Sequence, residues 1–119
     1  MGDNIASELG YLRGQELFQI AFGREELVLT FNADFISVHS PIYFALAGNQ
    51  AFEIWTPNGI LKDPSIFRLL HTQIMSFQMN QSEDLKLDFT NGDYLILCKW
   101  QNASQGSYQI SCGQEVIIV

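Results

Sequence analysis

The stretch Leu85-Lys86-Leu87-Asp88-Phe89-Thr90-Asn91-Gly92-Asp93-Tyr94-Leu95-Ile96-Leu97-Cys98 decides the fold class. Leu85, Leu87 and Phe89 alternate with Lys86 and Asp88, so a strand puts the apolar side chains on one face and the charged ones on the other. A helical period does not fit. Asn91-Gly92 then supplies the positive φ angles that a tight hairpin turn demands. Tyr94 to Cys98 is apolar on both faces, which predicts an interior strand covered on both sides.

Working outward, the chain says the same thing twice. Leu27-Val28-Leu29-Thr30-Phe31 answers Leu85-Lys86-Leu87-Asp88-Phe89 at a spacing of 58, and each run is preceded by an acidic pair, Glu25-Glu26 or Glu83-Asp84. Phe18-Gln19-Ile20 matches Phe77-Gln78-Met79 at 59, and Phe52-Glu53-Ile54 matches Tyr108-Gln109-Ile110 at 56. The last pair leads through a glycine-containing turn to Ile60-Leu61 or to Val116-Ile117-Ile118-Val119. In the first copy Asn32-Ala33-Asp34 stands where Asn91-Gly92 stands in the second, a longer or less ideal turn before Phe35-Ile36-Ser37-Val38. Residues 12–61 and 70–119 each hold five acids and two bases, so the charge is shared evenly.

Between the copies, Asp63-Pro64-Ser65 opens a helix running to about Leu70, because Asp caps free amides and Pro at the first position loses no hydrogen bond. Ile66, Phe67, Leu69 and Leu70 form its apolar stripe, and Arg68 faces water. Residues 4–12 form a turn of helix or a lead-in anchored by Leu9, Tyr11 and Leu12. Residues 41–50 read as a loop with apolar contacts or as a short extra strand. The fold expected is mainly β (β-rich α+β): two similar four-strand halves, 12–61 and 70–119, related by a pseudo-two-fold, sharing one core and joined by one short helix at about 64–70. A half of about 50 residues buries too little surface alone, so residues 1–119 form a single domain. Curved sheet and open barrel both satisfy the pattern.

The 119 residues carry 47% hydrophobic and 16% charged side chains, a profile of one globular core. Thirteen acids against six bases give a net charge of −7, which repels nucleic-acid phosphates and anionic lipid. The start has no basic and apolar leader, and no apolar run approaches the ~20 residues of a membrane span. The expected location is cytoplasmic. Cys98 and Cys112 lack metal-ligand spacing and read as reduced thiols. Asn80-Gln81-Ser82 and Asn102-Ala103-Ser104 match the glycosylation triplet but read as polar turns.

Leu85-Lys86-Leu87-Asp88-Phe89-Thr90-Asn91-Gly92, the apolar strand after it, Ser107-Tyr108-Gln109-Ile110 and the terminal Val-Ile-Ile-Val resemble small bacterial proteins of the DUF6188 group, whose function is unknown. Asp63-Pro64 followed by Leu69-Leu70 resembles that group's linker between halves. The group's aromatic-Glu-x-Trp pattern survives as Phe52-Glu53-Ile54-Trp55 and is replaced by Tyr108-Gln109-Ile110-Ser111 in the second copy. Some members resemble immunity proteins of toxin–immunity loci, so the resemblance implies a toxin-neutralising role and carries over no active site.

The candidate chemistry is sparse. His39 and His71 lack ligand partners in sequence and read as structural or solvent-facing. Cys98 and His39 lie at similar places in the two copies and form a possible nucleophile–base pair, but Cys98 sits in an apolar strand where burial suppresses the thiolate. The adjacent carboxylates Glu25-Glu26 and Glu83-Asp84 point to opposite faces of a strand, unlike the facing pair of a glycosidase. No glycine spacing cradles a phosphate. No catalytic residue, cofactor or metal is therefore expected, and the leading function is a non-enzymatic acidic binding module. Its surface is formed by Glu25, Glu26, Glu83, Asp84 and Asp88 and its protein partner is basic, a toxin neutralised by occlusion being one form. The alternatives are a small-molecule binder with an aromatic pocket at Trp55 and Trp100, and a self-associating module that pairs through the apolar edge Val116 to Val119.

Overall fold

The computed structural model describes residues 9–100, 106–112 and 115–119. Two 3₁₀ turns, Leu9–Leu12 and Pro64–Leu69, accompany ten strands. These are β1 (Leu17–Phe22), β2 (Leu27–Phe31), β3 (Phe35–Val38), β4 (Ile42–Ala45), β5 (Phe52–Trp55), β6 (Ile74–Met79), β7 (Leu85–Phe89), β8 (Tyr94–Leu97), β9 (Tyr108–Cys112) and β10 (Glu115–Ile118). They form two antiparallel five-stranded sheets, ordered β1-β2-β3-β9-β10 and β5-β4-β8-β7-β6. Read from its β6 edge, the second sheet is β6-β7-β8-β4-β5, which is the first with each strand replaced by its counterpart in the other half. Each half thus keeps three strands and sends two into the other half's sheet. The pseudo-two-fold and the shared core hold, with five strands per half in place of the expected four.

Hydrogen bonds locate the axis. Glu16 and Gln73 form an antiparallel bridge that joins the β1 edge of one sheet to the β6 edge of the other. Around it the Leu17 amide donates to the Thr72 carbonyl and the Ile74 amide to that of Gln15; farther out, Gly14 donates to Ile74 and His71 to Leu17. Each bond has its counterpart 57 residues away, and so do the bonds Arg13 to Gly10 and Leu70 to Phe67 in the helical turns. The Pro64–Leu69 turn therefore begins the second half, matching Leu9–Leu12 in the first, where the sequence suggested a linker. Its period of three buries Ile66 and Leu69, as its counterpart buries Leu9 and Leu12. Asp63 caps it as expected, accepting from the Ser65 amide at 2.7 Å. Phe67 is turned out and packs edge-on against Phe22, with ring centroids 6.1 Å apart.

The register corrects two of the three sequence matches. Leu27 does correspond to Leu85, but Ile20 pairs with Leu29 as Phe77 pairs with Leu87, so Ile20 corresponds to Phe77 rather than to Met79; both edge strands carry a bulge at matching places, between Leu17 and Gln19 and between Ile74 and Ser76. Tyr108-Gln109-Ile110 lies on β9, which pairs with β3 as β4 pairs with β8; its counterpart is Ile42-Tyr43-Phe44. The unplaced stretch 41–50 thus holds a central strand. Ile60-Leu61 forms no strand, and Ile60 is 81% exposed.

The Asn91-Gly92 hairpin is present in a looser form. Gly92 has φ of 91° while Asn91 stays at negative φ; the Gly92 amide donates to the Phe89 carbonyl, giving a three-residue connection with glycine at the left-handed position. The first-copy turn is one residue shorter, closed by the Phe31 amide on the Asp34 carbonyl. Leu27, Leu29 and Phe31 face Leu85, Leu87 and Phe89 across a core that also holds Phe44, Trp55 and Tyr108. β8 lies in the middle of its sheet, but only Leu95 and Leu97 are buried; Tyr94, Ile96 and Cys98 sit half-covered on an outer face where the Lys86 ammonium lies 4.4 Å from the Tyr94 ring. A two-layer sandwich has one solvated face per sheet, so apolar outer positions are shielded by long side chains instead of a further layer. No helix among the described residues is long and apolar enough to cross a membrane. The 102–104 triplet and the Cys112 side chain lie outside the described residues.

Candidate functional site

The two acidic turns are related by the pseudo-two-fold and differ in chemistry. Gly23–Glu26 connects β1 to β2, closed by the Gly23 amide on the Glu26 carbonyl at 2.7 Å. Glu25 is exposed, and Glu26 is 45% exposed with its carboxylate 3.6 Å from His39 Nε2. Among the described residues no Lys or Arg pairs with either, although Arg24 is adjacent in the chain. The β6–β7 turn is one residue longer and places Glu83 at φ of 64°. There Lys99 Nζ lies 3.1 Å from the Glu83 carboxylate, and the Asp84 carboxylate accepts from the Lys99 amide at 2.8 Å and from Asn80 Nδ2 at 3.3 Å. Asp88 accepts from the Ser76 hydroxyl at 3.1 Å and has Lys86 Nζ at 3.6 Å.

The five acids do not form one surface. β1 and β6 run in opposite directions from the Glu16–Gln73 bridge, which carries their far turns to opposite ends of a body 32 × 31 × 25 Å in extent. Glu25 and Glu26 stand at one end with no Lys or Arg of the described residues on them; Glu83 and Asp84 stand at the other, held by the Lys99 ammonium and main-chain amide, and Asp88 lies between, opposite Ser76 near the bridge, with Lys86 beside it.

The tryptophans do not share a pocket. Trp55 is 1% exposed in the core, whereas Trp100 is 43% exposed beyond the end of β8. A cavity of about 230 Å³ opens on the outer face of the second sheet, lined by Gln78, Asn80, Asp84, Lys86 and Ile96. Its size is below the ~300 Å³ at which pockets for drug-sized ligands begin, and its Lys and Asp are held by protein groups.

His39 and Cys98 are counterparts, as their strands β3 and β8 imply, but they do not meet as nucleophile and base. His39 Nε2 lies 3.1 Å from the Ser37 hydroxyl and near Glu26, on the outer face of the first sheet. A hydrolytic triad needs its acid on the ring nitrogen opposite the nucleophile, and here both groups sit on Nε2. Burial pushes the Cys98 thiol up to about 11, with the Asp84 and Glu53 charges adding to it, so the thiol stays protonated at neutral pH. His71 is 75% exposed, its Nδ1 3.3 Å from Glu16.

Two buried carboxylates escaped the sequence reading. Asp93, fully buried, accepts from Arg68 Nε, Asn91 Nδ2 and the Ala47 amide, each at 3.0 Å. Its counterpart Asp34 accepts from Ser111 Oγ at 2.8 Å and Gln15 Nε2 at 3.1 Å. Both close a hairpin, and the shared signal was an Asp immediately before the next strand in each copy. Their donors are satisfied and fixed, which makes them clamps between elements and leaves no reactive pair. No cluster of His, Cys, Asp or Glu among the described residues is arranged to hold a metal ion. In comparisons with known proteins the chain matches no family model, no curated protein and no solved structure.

Proposed function

We propose that the chain is a non-enzymatic binding module of the cytoplasm whose β1–β2 end receives a basic protein partner. The observation that supports this is the asymmetry of the acidic turns: Glu25 and Glu26 project at one end without a Lys or Arg partner among the described residues, while Glu83 and Asp84 are tied to Lys99. With a net charge of −7, long-range attraction steers a cationic protein to such an end and speeds its association in a salt-dependent way. Neutralisation of a toxin by occlusion is the specific form suggested by the resemblance to immunity-like proteins.

The test is coexpression with the product of the adjacent reading frame. The expected outcome is that this product arrests growth alone, that the chain restores growth, and that Glu25→Lys with Glu26→Lys slows association at low salt by about tenfold while leaving the melting temperature unchanged. An association rate identical to wild type at low salt removes the acidic end from the interface.

A further inference from the structure

The four sheet edges are not finished alike. β1, β6 and β5 each carry an extra residue that breaks the ladder: Phe18, Met75 and, opposite the Ile42–Tyr43 step, Ile54. β1 and β6 are also bonded to each other at the Glu16–Gln73 bridge. The β5 edge is covered from outside, where the Lys62 amide donates to the Ile54 carbonyl at 2.9 Å and Lys62 Nζ sits 2.6 Å from Glu53. Bulges, charges and covering segments are the devices that stop an edge from pairing with another chain.

β10, the counterpart of β5, has no bulge and no covering segment among the described residues, and its one charge, Glu115, stands at the end of the strand. Its register against β9 is unbroken from Glu115–Cys112 to Ile118–Gln109. Where β5 has Glu53 facing out, β10 has Ile118, and Val116 and Ile118 are 50% and 61% exposed. Val119 exchanges both main-chain bonds with Tyr108, so by antiparallel alternation Ile117 faces Ile110 and the N–H and C=O of Val116 and Ile118 point to the free edge. The outer positions Val28, Thr30, Phe35 and Gln109 of this sheet are uncharged, His39 with Glu26 being the ionisable pair on that face, whereas the other sheet shows Lys86, Asp88 and Glu53 at its outer positions.

We infer that β10 pairs with β10 of a second copy of this chain, antiparallel about Ile117, to make one continuous ten-stranded sheet. The edge is self-complementary in that register. The outward N–H and C=O of Val116 meet those of Ile118 in the second copy and the reverse, and the four apolar side chains become cross-strand neighbours on one face. Glu115 falls opposite Val119, so the two glutamates lie at opposite ends of the paired strands and no like charges face each other. A second copy fits this edge better than a cationic protein, because the outward main-chain groups pair with themselves in this register and the one acid on the strand, Glu115, stands at its end and not along the exposed Val116–Ile118 stretch.

Two acidic chains joined through an apolar edge associate more tightly as salt screens their repulsion, the reverse of the salt effect on a basic partner. Sedimentation velocity on the full chain, over about two decades of concentration and at low and high salt, reads this directly. The expected result is a monomer–dimer equilibrium that tightens with salt. Val116→Lys and Ile118→Lys, made separately at exposed positions, should each weaken it by at least about tenfold with thermal unfolding unchanged. A monomer at every concentration overturns the proposal and leaves the edge to a strand of another protein. A dimer unaffected by both variants, or one loosened by salt, also overturns it. Neither result bears on the acidic β1–β2 end, which lies on other strands.

Discussion

Gly14 and His71 occupy the same place in the two halves, each donating its amide across the junction of the sheets, and both hold left-handed backbone, with φ of 84° and 68°. Glycine adopts that conformation freely, whereas a residue with a Cβ gives up about 1–2 kcal/mol there. The His71 side chain offers little in return, since an exposed pair such as the one with Glu16 contributes at most about 1 kcal/mol. His71→Gly should therefore raise stability by about 0.5–1 kcal/mol after the larger unfolded-state entropy of glycine is subtracted, and Gly14→His should lower it by about 1 kcal/mol. Urea denaturation of the two variants checks both signs. Space is not the obstacle at Gly14, where a Cβ meets nothing within 4 Å, so a loss there reports backbone conformation alone.

At the scale of elements, Asp93 ties three of them together: the Pro64–Leu69 turn through Arg68, the β7–β8 hairpin through Asn91 and the β4–β5 connection through Ala47. Asp93→Ala removes the acceptor and strands the Ala47 amide, which should cost about 2–4 kcal/mol in equilibrium unfolding. Arg68→Ala leaves the other two donors in place and should cost less. A smaller loss for Asp93→Ala than for Arg68→Ala contradicts the clamp. The strands most legible in the sequence are those whose signal is local: Leu85 to Phe89 alternates because one face meets the core, and the Asp63-Pro64 cap acts within two residues. β4 was hidden because Ile42-Tyr43-Phe44-Ala45 lies between two sheet neighbours and lacks polar alternation, its outward Tyr43 being as apolar as its inward neighbours. The one extra residue of the β6–β7 turn changes the offset between copies from 57 along β1 and β6 to 58 along β2 and β7, so a match made by sequence alone slides along the strand. The candidate site was legible only as composition. The acidic pairs look alike in sequence, and what separates them is Lys99, which the fold brings to Glu83 and which has no counterpart at Glu25.

Over the whole molecule the sheets are held together by more than apolar contact. The buried Tyr108 hydroxyl, from the first sheet, donates to the Glu83 carbonyl at the edge of the second at 2.7 Å, close to Cys98. Burial raises both groups, with the Asp84 and Glu53 charges adding to it at Cys98 and the Glu83 and Asp84 charges at Tyr108. A raised acid keeps in the native state a proton that the unfolded chain releases, so its stabilisation is full below the unfolded pKa and is lost as pH rises through the folded one. For Cys98 that window opens at 9.0 and closes at about 11; for Tyr108 it opens at 10.0. Stability should therefore be level near neutrality and fall above about pH 9, and Cys98→Ser should delay the start of the fall toward pH 10. Thermal unfolding followed from pH 7 to 11 tests it, and a wild-type curve flat to pH 11 contradicts it.

The crossing of β4–β5 and β9–β10 into the opposite sheets has a further consequence for chain connectivity. Neither half can be lifted away without pulling two strands out of the other's sheet, so the chain cannot come apart by a hinge between halves, and its unfolding should be cooperative. The same arrangement describes a strand-exchanged pair of half-length chains, each completing its partner's sheet. The segment from Thr56 to Asp63 turns that pair into a single polypeptide. The covalent link fixes stoichiometry and lets the two ends diverge, one acidic turn keeping its charge exposed and the other acquiring Lys99, one edge guarded by Lys62 and the other left apolar at Ile118.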